Sequence, residues 1–522
     1  MKIQLLFFGM LLTMTQGALA QENGDGSSEL TPIVISSVRD LNQLSLNVRA
    51  ANFEGFEGKY IKLENDLDYS GVALSDTDGD GVEDSNFQPI GYSDENENDP
   101  FRGIFDGGGH TIKGIRVNSK ADYIGLFGLI EGATIKNLRI EDCAFTGNTC
   151  VGAVVGQSNV KIESSDRNGS AKGGDSLEDL SENYVDPSQC ILSDCYVADD
   201  VSVKATSTAG GIFGSAYFTT ANNCVSAASV EATSQAGSIG GLMDNDQSLM
   251  IELSDCYYTG SSDLKIYGAG TGFMNLSLLD DDSQAQVPND TRIRNYVGEV
   301  VNVTLTGRTF YFDGHWNTLC LPFDLFVGEM EEDDVRALKE ASFSEDGILT
   351  LEFTPALSES GAVEKLEAGV PYLVSWENTN DEIEDHCFES VEIIEAAPKP
   401  ITSNGVSFVG TYSTVKFPGA TPNVLYLGAE DNLYYPKTAM NFRAFRAYFE
   451  LDETIFDTSD PNNIREFRLD FGEETGIQMV LEDETAGAEA DAWYTLDGRR
   501  LAGKPAAKGF YLNGGKTIYI TE

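Results

Sequence analysis

Between Ile124 and Gly260, short apolar runs recur inside frames of glycine. The frames read Gly125-Leu126-Phe127-Gly128, Gly152-Ala153-Val154-Val155-Gly156, Gly210-Gly211-Ile212-Phe213-Gly214 and Gly240-Gly241-Leu242-Met243-Asp244. Aligning Leu126, Val154, Ile212 and Leu242 gives steps of 28, 58 and 30 residues, the middle one read as a double period stretched by a polar insert. A repeat of this length marks units that bury their apolar faces only against their neighbours. Apolar residues alternate or run in groups of two to four, bounded by Gly, Asn, Ser and Asp. That is strand-and-turn chemistry and not helical spacing. Two glycines per unit permit left-handed corners and close backbone approach. The pattern predicts a parallel β-helix, right-handed because parallel crossovers are overwhelmingly so.

A second pattern accompanies the first. Asp142-Cys143, Asp194-Cys195, Asn223-Cys224 and Asp255-Cys256 place a polar residue and a cysteine at what reads as one phase of the repeat. The expectation is an inward column of thiols packed as small apolar groups, with disulfides left open. Upstream, Val38, Leu41, Leu44, Leu46 and Val48 follow Ser36-Ser37. This predicts a short amphipathic helix with a serine N-cap that covers the open end of the first coil. Downstream of Asp280-Asp281-Asp282 the pattern changes to short alternating strands such as Val300 to Leu305, Leu349 to Phe353 and Ala444 to Leu451, and all three tryptophans follow that point. Such spacing predicts a β-sandwich.

The repeats resemble the GLUG motif of bacterial surface proteins. The segment Phe101-Arg102-Gly103-Ile104-Phe105-Asp106-Gly107-Gly108-Gly109-His110-Thr111-Ile112-Lys113-Gly114-Ile115 is similar to that family's lead-in coil. The resemblance covers about Ser36 to Gly260 and implies the fold, since packing residues and not a reaction define the family. His315 to Phe323 and Phe445 to Phe449 resemble recurrent motifs in C-terminal modules of Gram-negative surface proteins. Trp493-Tyr494-Thr495-Leu496-Asp497-Gly498-Arg499-Arg500-Leu501, Lys508 to Leu512 and Thr517 to Ile520 resemble a type IX secretion sorting segment.

The chain is therefore expected to be all-β over its 522 residues. Residues 1–20 read as a secretory signal peptide, with a lone Lys2, a short apolar run and Ala18-Leu19-Ala20. The parallel β-helix with its capping helix is placed at 36–290, the sandwich at 296–475, and the sorting-like β segment at 488–522. A polar insert, Glu163 to Gln189, interrupts the repeats.

Charge narrows the function. There are 84 acidic residues against 34 basic ones, a formal charge of −50. Such a field repels nucleic acid and anionic lipid and suits divalent cations. The leader's apolar run is too short to span a membrane, and no other stretch is long enough. In Asp76-Thr77-Asp78-Gly79-Asp80-Gly81-Val82-Glu83-Asp84, acidic residues stand at loop positions 1, 3, 5 and 9 with glycine at 6. Hard oxygen donors on a tight turn fit calcium, with Asp76, Asp78, Asp80, Asp84 and the carbonyl of Val82 as ligands. Phe87 stands where an EF-hand has its bidentate glutamate, so the loop is similar instead to those of thrombospondin type 3 or dockerin modules.

Enzymatic groups are scarce. The three histidines, His110, His315 and His386, form no His-Glu-x-x-His, which excludes GLUG-bearing IgA metallopeptidases as a functional model. There is no Cys-x-x-Cys pair and no nucleophile elbow. Asp142, Asp194, Asn223 and Asp255 suggest an acidic ladder of the kind a polysaccharide lyase or hydrolase would need, or equally a stack of Asn/Asp corners. The reading is a non-enzymatic cell-surface or secreted adhesin or glycan-binding scaffold of a Gram-negative bacterium, with a host or matrix glycan or protein as partner. A glycan-cleaving β-helix and a structural surface component are the alternatives. Trp316 and Trp376 are candidates for stacking on sugars, although sandwich core accounts better for both.

Overall fold

The computed structural model describes residues 24–50, 54–77, 81–93, 98–159, 189–243 and 251–471, with breaks at 262–263, 271, 331, 333, 356–364, 380, 429–430, 454, 457–463 and 465. Beyond these it describes the strands that follow residue 476. The leader and nearly all of the polar insert lie outside the described residues.

The repeats form a parallel β-helix. One coil consists of Thr134–Lys136, Arg139–Glu141, Ala144–Gly147, Cys150–Gly152 and Val155–Asn159. The strands of each neighbouring coil pair with these in parallel, strand for strand, giving five sheets that run along the molecule. Phe105, Ile135, Leu192, Ala221 and Leu253 stack inside the first sheet, fully buried.

The pairing corrects two points of register. Val155 pairs directly with Phe213. The step of 58 residues is thus a single coil, and its extra length falls between Asn159 and Cys190. Phe213 pairs with Gly240, so the partner of Ile212 is Ile239, 27 residues on, and not Leu242, which pairs with Ser215. A doubled glycine hid this. Gly240 holds the place of Phe127, Val155 and Phe213, and a Cβ there would lie 2.3 Å from the Phe213 ring. The unit continues once more at Ile266, beside Tyr267.

The framing glycines serve close approach and not left-handed corners. Gly128, Gly156, Gly214, Gly241 and Gly268 form one column, and Gly125, Gly152, Gly210 and Gly237 form a second. None has a positive φ. The columns face each other with only backbone between them. A Cβ on Gly210 would sit 2.6 Å from the Gly241 nitrogen, and one on Gly237 would sit 2.5 Å from the Gly268 nitrogen. Within the first column, a Cβ on Gly214 would meet the Gly156 oxygen at 2.6 Å. The left-handed corners are instead Asn137, Asp194, Asn223 and Asp255, with φ between 51° and 54°. Among residues with a side chain, Asn and Asp bear this conformation at least cost.

Both ends of the coil stack are covered. Helix α1 (Val38–Val48) has Ser37 as N-cap and buries Leu41, Leu44 and Val48 over the first coil, while Leu46 faces solvent. At the far end, helix α2 (Asn289–Tyr296) buries Ile293 and Tyr296, and the Tyr296 hydroxyl donates to the Cys256 carbonyl at 2.8 Å. The first sheet runs on through Phe273–Leu279 and Val300–Thr306 in parallel and ends on antiparallel Cys387–Glu392. Beyond it, a six-stranded and a five-stranded sheet enclose a second core. Leu349, Leu351, Phe353 and Leu373 from one sheet share it with Phe408, Leu425, Phe449 and Leu451 from the other. The tail strands Trp493–Thr495, Arg500–Leu501, Gly509–Asn513 and Lys516–Ile520 form an antiparallel sheet.

Asp280-Asp281-Asp282 ties the two parts together. Asp280 is 2% exposed. Its carboxylate takes Arg443 at 2.8 Å and Arg446, with Arg308 3.9 Å away, and its carbonyl accepts the Ala444 amide at 2.9 Å. Asp282 accepts from the amides of Thr414 and Asn289. Burial alone would raise the Asp280 pKa, but the guanidiniums of Arg446 and Arg308 outweigh it and hold the group below the ordinary carboxylate range.

Two predictions follow from this packing. Gly214→Ala should lower stability in urea by about 3 kcal/mol, because backbone on both sides cannot yield. Gly71→Ala, where nothing lies within 4 Å, should change it by less than about 0.5 kcal/mol. A folded-state pKa below the unfolded one means that Asp280 contributes stability above an unfolded pKa of about 3.9 and loses it as pH falls through the lower folded value. Asp280→Asn should cost about 3 kcal/mol at neutral pH by leaving buried Arg308 uncompensated. It should also flatten the acid limb of the stability curve measured by urea unfolding from pH 7 to 3.

Candidate functional site

The acidic loop hangs at the capped end of the β-helix. Ser75 and Ser85 bridge its two sides, with the Ser75 amide donating to the Ser85 carbonyl at 2.7 Å. The Asp76 carboxylate accepts the Gly81 amide at 3.0 Å, which folds loop positions 1 and 6 together. Gly81 has φ 88°, a turn that a side chain would strain. Val82 is exposed. Asp84 points elsewhere, since its carboxylate accepts from Asn118 Nδ2 at 2.7 Å and from the Ser85 hydroxyl at 3.2 Å. Asp78 and Asp80 lie outside the described residues. Among the described residues no three His, Cys, Asp or Glu side chains are grouped to hold a metal.

The expected acidic ladder divides into two corners. Lys136 pairs with Ser193 and Ser193 with Asn222, so the true column is Asn137, Asp194, Asn223 and Asp255. Asn223 Nδ2 donates to Asp194 at 2.7 Å, and Asn137 Nδ2 donates to Asp106 at 3.0 Å. Asp255 accepts from the Tyr257 hydroxyl at 2.5 Å and from the amide and hydroxyl of Ser277, both at 2.8 Å. Asp142 belongs to another corner, where its amide donates to Asp200 and its carboxylate pairs with Arg116 at 2.5 Å. Cys143 accordingly leaves the thiol column. Leu138 stands in its place beneath Cys195, because Arg139 pairs with Tyr196. The Asp-Cys dipeptide recurs at two different corners, and sequence spacing alone did not separate them.

The histidines serve separate surroundings. His110 Nδ1 meets Asp66 at 3.3 Å on a coil corner. His315 Nδ1 meets Asp431 at 3.0 Å, and the same carboxylate accepts the Trp316 amide at 2.7 Å. His386 packs edge-on to Phe388, and burial lowers its pKa. Trp376 is core, 1% exposed and stacked on Phe312, with Nε1 donating to the Met330 carbonyl at 2.8 Å. Trp316 is half-buried and stacks on Phe471 at 4.7 Å.

A different surface gathers the groups that recognition chemistry uses. On the outer face of the first sheet, Glu252, Phe273 and Val300 stand on successive strands. Phe273 is 52% exposed and Val300 55%. Beside them runs a polar file of Asn222, Ser254, Asn275 and Asn302. Asn302 Nδ2 donates to Asn275 Oδ1 at 3.0 Å, and Asn275 Nδ2 donates to Glu252 at 2.7 Å and to the Ser254 hydroxyl at 3.0 Å. Sequence reasoning missed this face, although its signal was present. In Phe273-Met274-Asn275-Leu276-Ser277, Phe273 shares the outward phase with Asn275 and Ser277.

No family model matches the chain. Over 156 residues, 30% of its length, it is 31% identical to halomucin of Haloquadratum walsbyi, and it spans 2% of that protein. A crystal structure from Bacteroides ovatus, of a protein provisionally named an immunoglobulin A1 protease, aligns at 17% identity with a TM-score of 0.27. The alignment covers 54% of this chain and 79% of that one. No helix among the described residues is long and apolar enough to cross a membrane, which leaves β-barrels unaddressed.

Proposed function

We propose that the protein is a non-enzymatic surface or secreted scaffold that binds a neutral glycan on the outer face of its first sheet. One observation carries this reading: exposed Phe273 lies beside a hydrogen-bonded amide file on paired parallel strands. Strands ~4.8 Å apart set the rhythm of that file. An apolar ring offers its face to the C–H side of a sugar, while amides and hydroxyls can exchange hydrogen bonds with the sugar's rim. The charge of −50 favours a neutral ligand over an anionic one. The corner carboxylates support a binding role over cleavage, since Asp194 and Asp255 are spent on Asn223, Tyr257 and Ser277. The partial similarity to halomucin is in keeping with a surface or secreted setting. The C-terminal strands would act as the export address.

The test is a glycan and matrix array with the full chain and Phe273→Ala. The wild type should bind a neutral glycan, and the variant should lose at least about tenfold in affinity, the equivalent of ~1.4 kcal/mol. Equal binding by both removes this face, and shortening of a bound glycan during incubation replaces the scaffold with an enzyme.

Calcium in the acidic loop belongs to the same proposal, as a structural ion. The turn closed by Asp76 and Gly81 supports it, and Asp84 would have to leave Asn118 to join the ligands. Calorimetry with calcium should show binding by the wild type and its loss in Asp78→Ala. Identical heats would exclude the loop.

A further inference from the structure

Cys195, Cys224 and Cys256 occupy one place on three successive coils. Tyr196 pairs with Val225 and Val225 with Tyr257, which aligns the cysteine before each. All three are at most 1% exposed. Each Sγ is directed at a carbonyl of the preceding coil: Cys195 at Ile135, 3.9 Å away, Cys224 at Leu192, 3.7 Å, and Cys256 at Ala221, 3.4 Å. The thiols therefore point the same way and stand in file. In-register residues of paired strands have Cα atoms ~4.8 Å apart, inside the ~4.4–6.8 Å that a disulfide spans. All eight cysteines are free thiols. Cys224 is the middle member, with a thiol one coil away on each side, whereas Cys195 and Cys256 stand two coils apart.

We propose that this file is a covalent modification site, at which an oxidant of the small-molecule disulfide class links Cys224 to either Cys195 or Cys256 and so ties two successive coils. The Cys224 thiolate attacks the oxidant's disulfide, forming a mixed disulfide and releasing one small thiol. The neighbouring cysteine then attacks Cys224 Sγ, closes the protein disulfide and expels the second small thiol. The two cysteine protons end on the two released thiols, so two cysteines are oxidised and one oxidant is reduced. Three members in the file leave one thiol unpaired. Burial restricts the reaction to the stage when coils are still closing, or to transient opening. Cys143, at another corner, takes no part.

The test refolds the full chain from urea with oxidised glutathione. Denaturing alkylation, intact mass and peptide mapping follow. The expected result is a fall from eight titratable thiols to six, a peptide joining Cys224 to Cys195 or Cys256, and a higher urea midpoint than the reduced protein. Cys143→Ser should give the same link. Cys224→Ser should give none, its fold checked by circular dichroism. If that variant does not fold, the wild-type peptide map decides alone. Glutathione adducts at exposed Cys387 are recognised by their added mass. Retention of all eight thiols, a Cys195–Cys256 link, or a link through Cys143 would overturn the assignment.

Discussion

Contact between two columns of glycine, backbone on backbone, is the constraint on which the rest of the β-helix depends. Where Gly210 faces Gly241 and Gly237 faces Gly268 there is no room for a methyl group. The fourth and fifth sheets can therefore meet without side chains between them. The rest of the core is filled by Phe105, Ile135, Leu192 and their stacked neighbours, with Phe127 of the fifth sheet packed against Phe105. A side chain on either glycine column would force two backbones apart and shift the register of every coil beyond it. Close packing of this kind has little capacity to absorb added volume.

Register has consequences at a distance. Because coils repeat in step, a corner chosen once is chosen again. The left-handed turn at Asn137 recurs at Asp194, Asn223 and Asp255, and the residue after each turns inward as Leu138, Cys195, Cys224 and Cys256. The same regularity sets the outer face, so Phe273 and Val300 stand beside Asn275 and Asn302 on paired strands. The ends are closed by different means. Helix α1 covers one with apolar side chains. The other is covered by α2 and then held by the buried ions around Asp280, so the second part of the chain extends the same core.

The amino-acid sequence by itself determined that this chain coils. Glycine frames, β-branched runs and Asn or Asp corners are local demands of backbone geometry, legible wherever they occur. It also determined the cap, because Ser37 and the spacing of Leu41, Leu44 and Val48 are a helix start and an apolar face in one stretch. Only the tertiary structure decided which residues are neighbours across coils. Ile239 and not Leu242 follows Ile212, since Gly240 leaves space for the Phe213 ring. Cys143 leaves the thiol file, since two corners of one coil carry the same dipeptide. Phe273, Asn275 and Asn302 become one surface, since a parallel stack places residues far apart in the chain a strand's width apart in space. The ion cluster at Asp280 was equally hidden. An acidic triplet in a strongly acidic chain reads as solvated surface until folding brings Arg308, Arg443 and Arg446 to it.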